Sequence, residues 1–305
     1  MTSHKPAKFS DYFWHLRPKS WPIVFLHCAV GGELALSKNL AGGWGAPAGG
    51  WFAPELGQIA LGALLWAVFL NGGTLALNSG IDCDEGDIGY LNNPPSTPPG
   101  LTWFGLGVMT FGALLAASFF SKVYLCLYLS CVALSILYST PPVRLKAVAG
   151  GDLLINMVGY GALTILAGYF SVEVELRKVA ILAACGFAFL FGALYPTTQI
   201  YQLKEDIRSG ARGLTVQLGV RNSLKMACLF LGLAFAFFGA IHVIYQTGWI
   251  GMTACFISLV AWLIVLIPWS VKLDAYPHQQ GMYRALWAWA LTESLLAVVW
   301  LGQAL

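Results

Sequence analysis

The sequence predicts an all-α, polytopic membrane protein with about nine transmembrane helices around a central cavity. Three observations support this fold class. Of the 305 residues, 58% are hydrophobic and 10% are charged, whereas soluble domains have about 45–50% apolar and about 25% charged residues. The apolar residues form windows of about 17–25 residues, the length that crosses a bilayer as a helix. Finally, Lys and Arg are distributed unequally between the segments that join these windows.

The predicted spans follow one another along the whole chain, which we therefore treat as a single domain, residues 1–305. Six of the seven cysteines fall in apolar runs, and we interpret them as core residues rather than disulfide or metal partners. The spans are, in order, roughly residues 20–38, 56–79, 101–120, 122–139, 151–170, 178–201, 222–245, 249–270 and 283–303.

The distribution of positive charge predicts the orientation. If the N-terminus is inside, the inner segments hold 13 of the 17 Lys and Arg residues. The positive-inside rule then places the N-terminus and the long polar loops in the cytoplasm and the C-terminus outside, in the inner membrane if the cell is bacterial. The net charge of +3 is small and no basic run is present, which argues against nucleic-acid binding.

Polar side chains are concentrated where the second span ends. Asn78 and Asp82 are four residues apart, so they share one face of a helix, and Asp84 and Asp87 follow. Carboxylates inside a membrane cost about 3 kcal/mol, and amide and carboxylate oxygens are ligands that Mg²⁺ prefers. A calcium loop of the EF-hand type starting at Asp82 does not fit, because positions five, six and twelve carry the wrong residues. A solvated acidic loop is the remaining alternative.

The loop after the fourth span carries hydroxyl and positively charged groups on the same predicted side as these acids. Tyr138 ends the span, and Arg144 and Lys146 follow a pair of prolines. These cations can bind phosphate oxygens, or they can merely fix the orientation of the span.

A second polar stretch follows the sixth span, on the same predicted side. Gln202, Glu205 and Asp206 are candidate oxygen ligands, and Lys204, Arg208 and Arg212 are candidate phosphate ligands. The spacing of Gln202 and Asp206 repeats that of Asn78 and Asp82. An ordinary juxtamembrane helix has a similar composition, but the two stretches together favour a metal–diphosphate site.

Two further acids, Glu33 and Glu293, fall inside predicted spans and are isolated in the sequence. Such residues sometimes belong to proton relays or transporters. A transporter or lipid-binding membrane protein is therefore an alternative to an enzyme.

The motifs resemble those of the UbiA superfamily of intramembrane prenyltransferases. Asn78 and Asp82 match its first motif, N-D-x-x-D-x-x-x-D, and the segment LNNPPSTPPG resembles the continuation of that motif. The segment YSTPPVRLK matches a loop of the form Y-S-x-P-P-x-R-L-K, and the segment LRPKSWP is like the opening of the family. Asp206 and Arg212 match the latter half of the second motif. Ser79 and Gln202 differ, since both stand where the family has Asp.

The resemblance implies an all-helical fold of nine spans that binds two Mg²⁺ ions and an isoprenyl diphosphate. Loss of diphosphate would give an allylic cation, attacked by a lipophilic, aromatic acceptor in a prenyltransferase or by the same chain in a membrane terpene cyclase of this superfamily. Asp82 and Asp206 would be catalytic. The implied metal ligands are Asn78, Asp82, Asp84, Asp87, Gln202, Glu205 and Asp206. The implied diphosphate ligands are Arg144, Lys146, Lys204, Arg208, Arg212 and Tyr138.

Overall fold

The structure of the protein is a computed structural model, and it describes residues 8–37, 54–83, 91, 94–208 and 213–302. The side chains of Glu205, Asp206 and Asp274 also lie outside the described part. Within that part the regular structure is helical and includes no strand. The helices are α1 (Phe9–His15), α2 (Trp21–Leu36), α3 (Pro54–Asp82), α4 (Leu101–Phe119), α5 (Lys122–Ser139), α6 (Gly151–Tyr169), α7 (Lys178–Ile200), α8 (Leu203–Arg208), α9 (Leu214–Ile244), α10 (Gly248–Lys272) and α11 (His278–Gly302).

The long helices coincide with the predicted spans. Eight of them, α3 to α7 and α9 to α11, are long and apolar enough to cross a membrane. The first predicted span corresponds to α2, which has 16 residues and is roughly 24 Å long. Most of its side chains are buried inside the bundle. The all-α, polytopic fold is therefore confirmed.

The largest boundary difference is at the seventh span, which begins at Leu214 rather than near residue 222. Gly219 interrupts this helix with a φ of 68°, a conformation that glycine adopts without steric cost. The predicted boundary lies close to this kink because the continuous apolar run begins only after it.

The helices α2 and α6 pack with their backbones in direct contact. A Cβ atom added at Gly168 would lie 1.7 Å from the carbonyl oxygen of Cys28, and one added at Gly31 would lie 2.0 Å from that of Ile165. Small residues allow such close approach, which is a main source of helix association in membranes. This contact holds α2 in the interior, against the helix that lines the cavity described below.

A buried pair of polar side chains joins the first and the last long helix. His27 Nδ1 and Glu293 Oε1 are 2.5 Å apart, and both side chains are almost fully buried. The expectation that Glu293 is isolated is therefore wrong, because its partner is 266 positions away in the chain. Glu33, in contrast, has a buried carboxylate oxygen without a hydrogen-bond partner among the described residues.

Candidate functional site

The first part of the candidate site is the end of α3. Lys146 Nζ donates a hydrogen bond of 2.8 Å to Asn78 Oδ1 and a short hydrogen bond to Asp82 Oδ2. Ser139 Oγ, at the end of α5, donates to the same Asn78 oxygen over 3.1 Å. Because one ammonium group contacts both Asn78 and Asp82, these side chains point to the same place, as their four-residue spacing predicts.

A second cation contacts the same carboxylate. Arg144 NH2 lies 2.9 Å from Asp82 Oδ1, and its side chain is 46% exposed, whereas that of Asp82 is 15% exposed. The backbone of Arg144 is in the left-handed region, with a φ of 37°, which is costly for a residue other than glycine. The loop after α5 thus turns so that Arg144 and Lys146 both reach the end of α3.

The oxygen atoms at this point fit a hard cation. The amide oxygen of Asn78 and the carboxylate of Asp82 converge on a positively charged group, and both are ligand types that Mg²⁺ prefers. Among the described residues, no group of three or more His, Cys, Asp or Glu that could hold a metal is present. Further predicted ligands, Asp84 and Asp87, lie outside the described residues.

The second polar stretch is only partly described. Gln202 lies in the turn that precedes α8, and its Nε2 donates to the hydroxyl of Tyr201 over 2.6 Å. Its four-residue spacing from Asp206 therefore does not run along one continuous helix. Lys204 and Arg208 are exposed, and no described contact joins them to Asp82. The side chains of Glu205 and Asp206 lie outside the described part, and so does the whole of Arg212.

Asp152, which is not among the predicted site residues, joins the start of α6 to the start of α9. It is buried, its Oδ1 accepts from the backbone amide of Gly150, and its Oδ2 accepts from that of Leu214 over 3.1 Å. This hydrogen bond ties the start of α6 to the start of α9, so α9 begins beside the end of the loop that carries Lys146. The signal in the sequence is an acid in the first turn of a span, directly after two glycines.

Tyr138 lies at the same end of the bundle, where three helices meet. Its hydroxyl interacts with Tyr195 near the end of α7 and with Asn156 in α6. Arg17, just before α2, is buried and donates to Ser79 Oγ over 2.9 Å. In the sequence, Arg17 is marked only by the resemblance of its segment to the opening of the family, and Asn156 is not marked, because a single polar residue in an apolar run has no local pattern.

A cavity of about 220 Å³ begins at these side chains and extends into the bundle. Its walls are formed by α3, α5 and α6, and Arg17 stands at its mouth. The central cavity of the predicted fold is therefore present. Its lining residues on α3 run from Asn78 to Trp66, twelve positions that correspond to a depth of roughly 18 Å.

Two π-helical segments face this cavity. Leu65–Asn71 in α3 contributes Trp66, Leu70 and Asn71, and Met157–Leu163 in α6 contributes Gly159 and Tyr160. Such segments are rare and are frequently found at functional sites. Both contribute side chains to the same cavity, which makes this cavity the candidate binding space of the bundle.

The comparisons with known proteins agree with this fold. The model of the UbiA prenyltransferase family matches residues 35–289. No curated protein matches the chain in a sequence comparison.

Solved structures with the same fold share little sequence with the chain. A UbiA homolog from Archaeoglobus fulgidus bound to GPP and Mg²⁺ has a TM-score of 0.68 at 18% identity, with 95% of this chain and 99% of that chain covered. A structure of digeranylgeranylglyceryl phosphate synthase has a TM-score of 0.68 at 12% identity and 97% and 98% coverage. The apo structure of a UbiA homolog from Aeropyrum pernix K1 has a TM-score of 0.64 at 14% identity and 91% and 98% coverage.

Proposed function

Because the chain belongs to the UbiA prenyltransferase family, we propose that it is a Mg²⁺-dependent intramembrane prenyltransferase that acts on an isoprenyl diphosphate and a lipophilic, aromatic acceptor. The observation that carries this proposal is the position of Asn78, Asp82, Arg144 and Lys146. They form one cluster of oxygen ligands and cations at the mouth of a cavity between helices. The charged diphosphate would bind to the cluster, and the apolar prenyl chain would lie in the cavity.

The metal would be held first by Asn78 and Asp82, whose oxygens already converge on a cation. When bound, Mg²⁺ neutralises the charge that develops on the leaving diphosphate. The structures of the Archaeoglobus homolog bound to DMAPP or GPP with Mg²⁺ support Mg²⁺ as the metal. The further ligands that we propose are Asp84, Asp87, Gln202, Glu205 and Asp206.

The cations would bind the diphosphate itself. Arg144 and Lys146 reach Asp82 from the loop after α5, so a diphosphate beside the metal lies within their range. Arginine and lysine donate charge-assisted hydrogen bonds to phosphate oxygens. We propose Tyr138 as an additional donor at the mouth, and Lys204, Arg208 and Arg212 as cations supplied by the second polar stretch.

The reaction breaks the bond between the first carbon of the prenyl chain and the bridging oxygen, and the electron pair leaves with the diphosphate. An electron-rich carbon of the acceptor then bonds to the allylic cation, and the acceptor loses a proton. The bound prenyl chain and acceptor would displace water from the cavity and so protect the cation. Buried prenyl carbons also contribute roughly 0.8 kcal/mol per methylene group to binding.

We also propose that the mouth of the cavity faces the cytoplasm. The hydroxyl of Tyr12 in α1 donates to the carbonyl of Pro99, so the N-terminal segment lies at the same end of the bundle as Asp82. Most of the basic residues are predicted on this side, which is the cytoplasmic side by the positive-inside rule. Reporter fusions at the loops after α4 and α5 would give opposite locations, with the α5 loop inside.

The experiment that tests the function uses the purified full chain in lipid nanodiscs with Mg²⁺ and C5, C10, C15 or C20 diphosphates. Release of diphosphate only with an aromatic acceptor supports transfer, whereas cyclic products without an acceptor indicate the terpene cyclase. No release in any mixture contradicts both enzyme functions. Asp82→Asn should lower kcat at least about 100-fold, because it removes a charge that acts on the reacting group. Glu175→Gln, on the opposite side of the bundle, is the control.

A further inference from the structure

The cavity is layered from its mouth to its inner end. The mouth carries Asn78 and Tyr138, and a belt of hydrogen-bonding side chains, Asn71, Thr74, Ser135 and Tyr160, lies one to two helical turns deeper. Thr74 and Ser135 are joined by a hydrogen bond of 2.7 Å across the cavity wall. The last lining residues are Trp66 on α3 and Thr164 on α6.

Trp66 closes the inner end. Its side chain is 2% exposed, and its Nε1 donates a hydrogen bond of 3.0 Å to Thr164 Oγ1. Behind it stand the rings of Tyr124 and Tyr128, with centroids 6.0 and 5.9 Å from the indole. Both tyrosine hydroxyls donate to backbone carbonyls, of Gly62 and Met109, so this end of the cavity is backed by a fixed aromatic cluster.

The position of Trp66 is also fixed by the two π-helical segments. Thr164 Oγ1, which accepts from Trp66, donates to the carbonyl of Gly159 within α6. Nearer the mouth, the hydroxyl of Tyr160 donates to Asn71 Oδ1 over 2.8 Å. In a membrane, backbone and side-chain polar groups need internal partners. The helices α3 and α6 are therefore joined by hydrogen bonds both at the inner end of the cavity and nearer its mouth. These bonds fix the position of the Trp66 indole.

The size of the cavity can be compared with a known ligand. A cavity of about 150 Å³ holds one benzene molecule, or about 25 Å³ per non-hydrogen atom, so the 220 Å³ here accommodate roughly nine such atoms. One isoprene unit has five carbon atoms and two units have ten. A third unit has no space in front of Trp66 unless the indole moves or the chain leaves sideways between helices.

We infer that the protein uses a short isoprenyl donor, of one or two isoprene units, and that Trp66, held by Thr164, is the residue that sets this limit. This inference rests on the proposed function. It predicts that the preferred chain length of the donor changes when a substitution lengthens or shortens the cavity.

The first test enlarges the cavity. Purified Trp66→Leu is compared with the wild type on C5, C10, C15 and C20 diphosphates with Mg²⁺ and an aromatic acceptor, by kcat/KM. Binding is compared by thermal stabilisation with unreactive thiolodiphosphate analogues of the same lengths. We expect the wild type to favour C10 over C20 by about tenfold or more, since pocket size discriminates to this extent. Trp66→Leu should reduce that ratio by about tenfold.

A matched control separates this effect from the loss of any buried tryptophan. Trp262 is fully buried, and its Nε1 donates to Thr292 Oγ1 over 3.1 Å. It has the same hydrogen-bond arrangement as Trp66 but does not line the cavity. Trp262→Leu should keep the wild-type ratio of C10 to C20 even if it lowers stability.

The second test shortens the cavity. A Cβ atom at Gly159 would meet no other atom within 4 Å, although this residue lines the cavity, so Gly159→Leu should fill part of it. We expect the preference to shift from C10 towards C5. Gly232→Leu is the control, since Gly232 in α9 also has open space around it but lies away from the cavity.

The outcomes distinguish the inference from the function on which it rests. Equal use of C10 and C20 by the wild type, or an unchanged ratio in Trp66→Leu, overturns the inference while the enzyme remains active. Absence of diphosphate release from every donor overturns the proposed function. In that case the analogue series still decides the inference, because the preferred length is read from binding alone.

Discussion

Replacement of Lys146 by methionine tests whether Asn78 and Asp82 are metal ligands. Without a bound diphosphate, the Lys146 ammonium donates to both side chains and so occupies the place where their oxygens converge. A metal ion that uses these oxygens must displace the ammonium. Lys146→Met removes this competitor, so we expect Mg²⁺ to bind the diphosphate-free protein more tightly in the variant than in the wild type.

The expected gain in Mg²⁺ affinity follows from the hydrogen bonds of Lys146 that the metal must break in the wild type. Each bond to a charged group contributes about 1.5–3 kcal/mol, and the two side chains that form the ion pair are each 15% exposed. Arg144 continues to neutralise Asp82 in the variant, so we take a total near the lower end, about 2 kcal/mol, which is roughly 30-fold in affinity. With the isoprenyl diphosphate present, the substitution should be unfavourable instead, because Lys146 is then a ligand of the diphosphate. We therefore expect kcat/KM to fall about tenfold or more.

Isothermal titration of Mg²⁺ into nanodisc-embedded protein measures the first effect, and steady-state diphosphate release measures the second. Lys122→Met is the matched control, since Lys122 begins α5 at the end opposite to the site, and it should change neither quantity. Unchanged or weaker Mg²⁺ binding by Lys146→Met without diphosphate would refute the reasoning, because the oxygens that Lys146 contacts would then not be metal ligands.

Two further predictions concern stability. Glu293→Leu should lower the free energy of unfolding by about 3 kcal/mol, since removing the carboxylate leaves the buried His27 without this hydrogen-bond partner. Thermal denaturation measures this loss, Glu175→Leu is the control, and an equal melting temperature in both would contradict it. Burial lowers the pKa of His15, so the folded protein binds protons less readily than the unfolded chain, and stability should fall as the pH drops below about 6.5. His15→Gln should weaken that pH dependence. Unfolding measured between pH 7.5 and 5 tests this, and an equal pH dependence in wild type and variant would contradict it.

The fold follows from the sequence because the signal for each span is local. Hydropathy over a bilayer length locates α4 and α5 to within a few residues, since their whole length is apolar. The same signal misses the start of α9, because polar residues on both sides of Gly219, among them Gln217, Arg221 and Asn222, interrupt the apolar run. It also does not reveal the contact of Gly31 and Gly168, because two glycines in separate spans carry no joint pattern until the helices are placed together.

The candidate site is predictable where its residues share a short segment or a known motif. Asn78 and Asp82 are one helical turn apart, and Arg144 and Lys146 lie in one loop, so the sequence suffices to group them. Their convergence is a result of the fold. The walls of the cavity are different, because Trp66 and Thr164 meet from spans that are 98 positions apart. Single polar or aromatic residues in apolar windows cannot be paired from the sequence alone.

The order of side chains along α3 explains why the charge of the site is confined to the mouth. On the face that lines the cavity or lies at its entrance, Asp82 is followed inward by the amide of Asn78, the hydroxyl of Thr74 and finally the indole of Trp66. A charged side chain becomes more costly with depth in a membrane, by about 3 kcal/mol at its centre. A prenyl chain gains about 0.8 kcal/mol per buried methylene group over the same path. A diphosphate with its chain satisfies both requirements only when the charged end stays at Asp82 and the chain points towards Trp66.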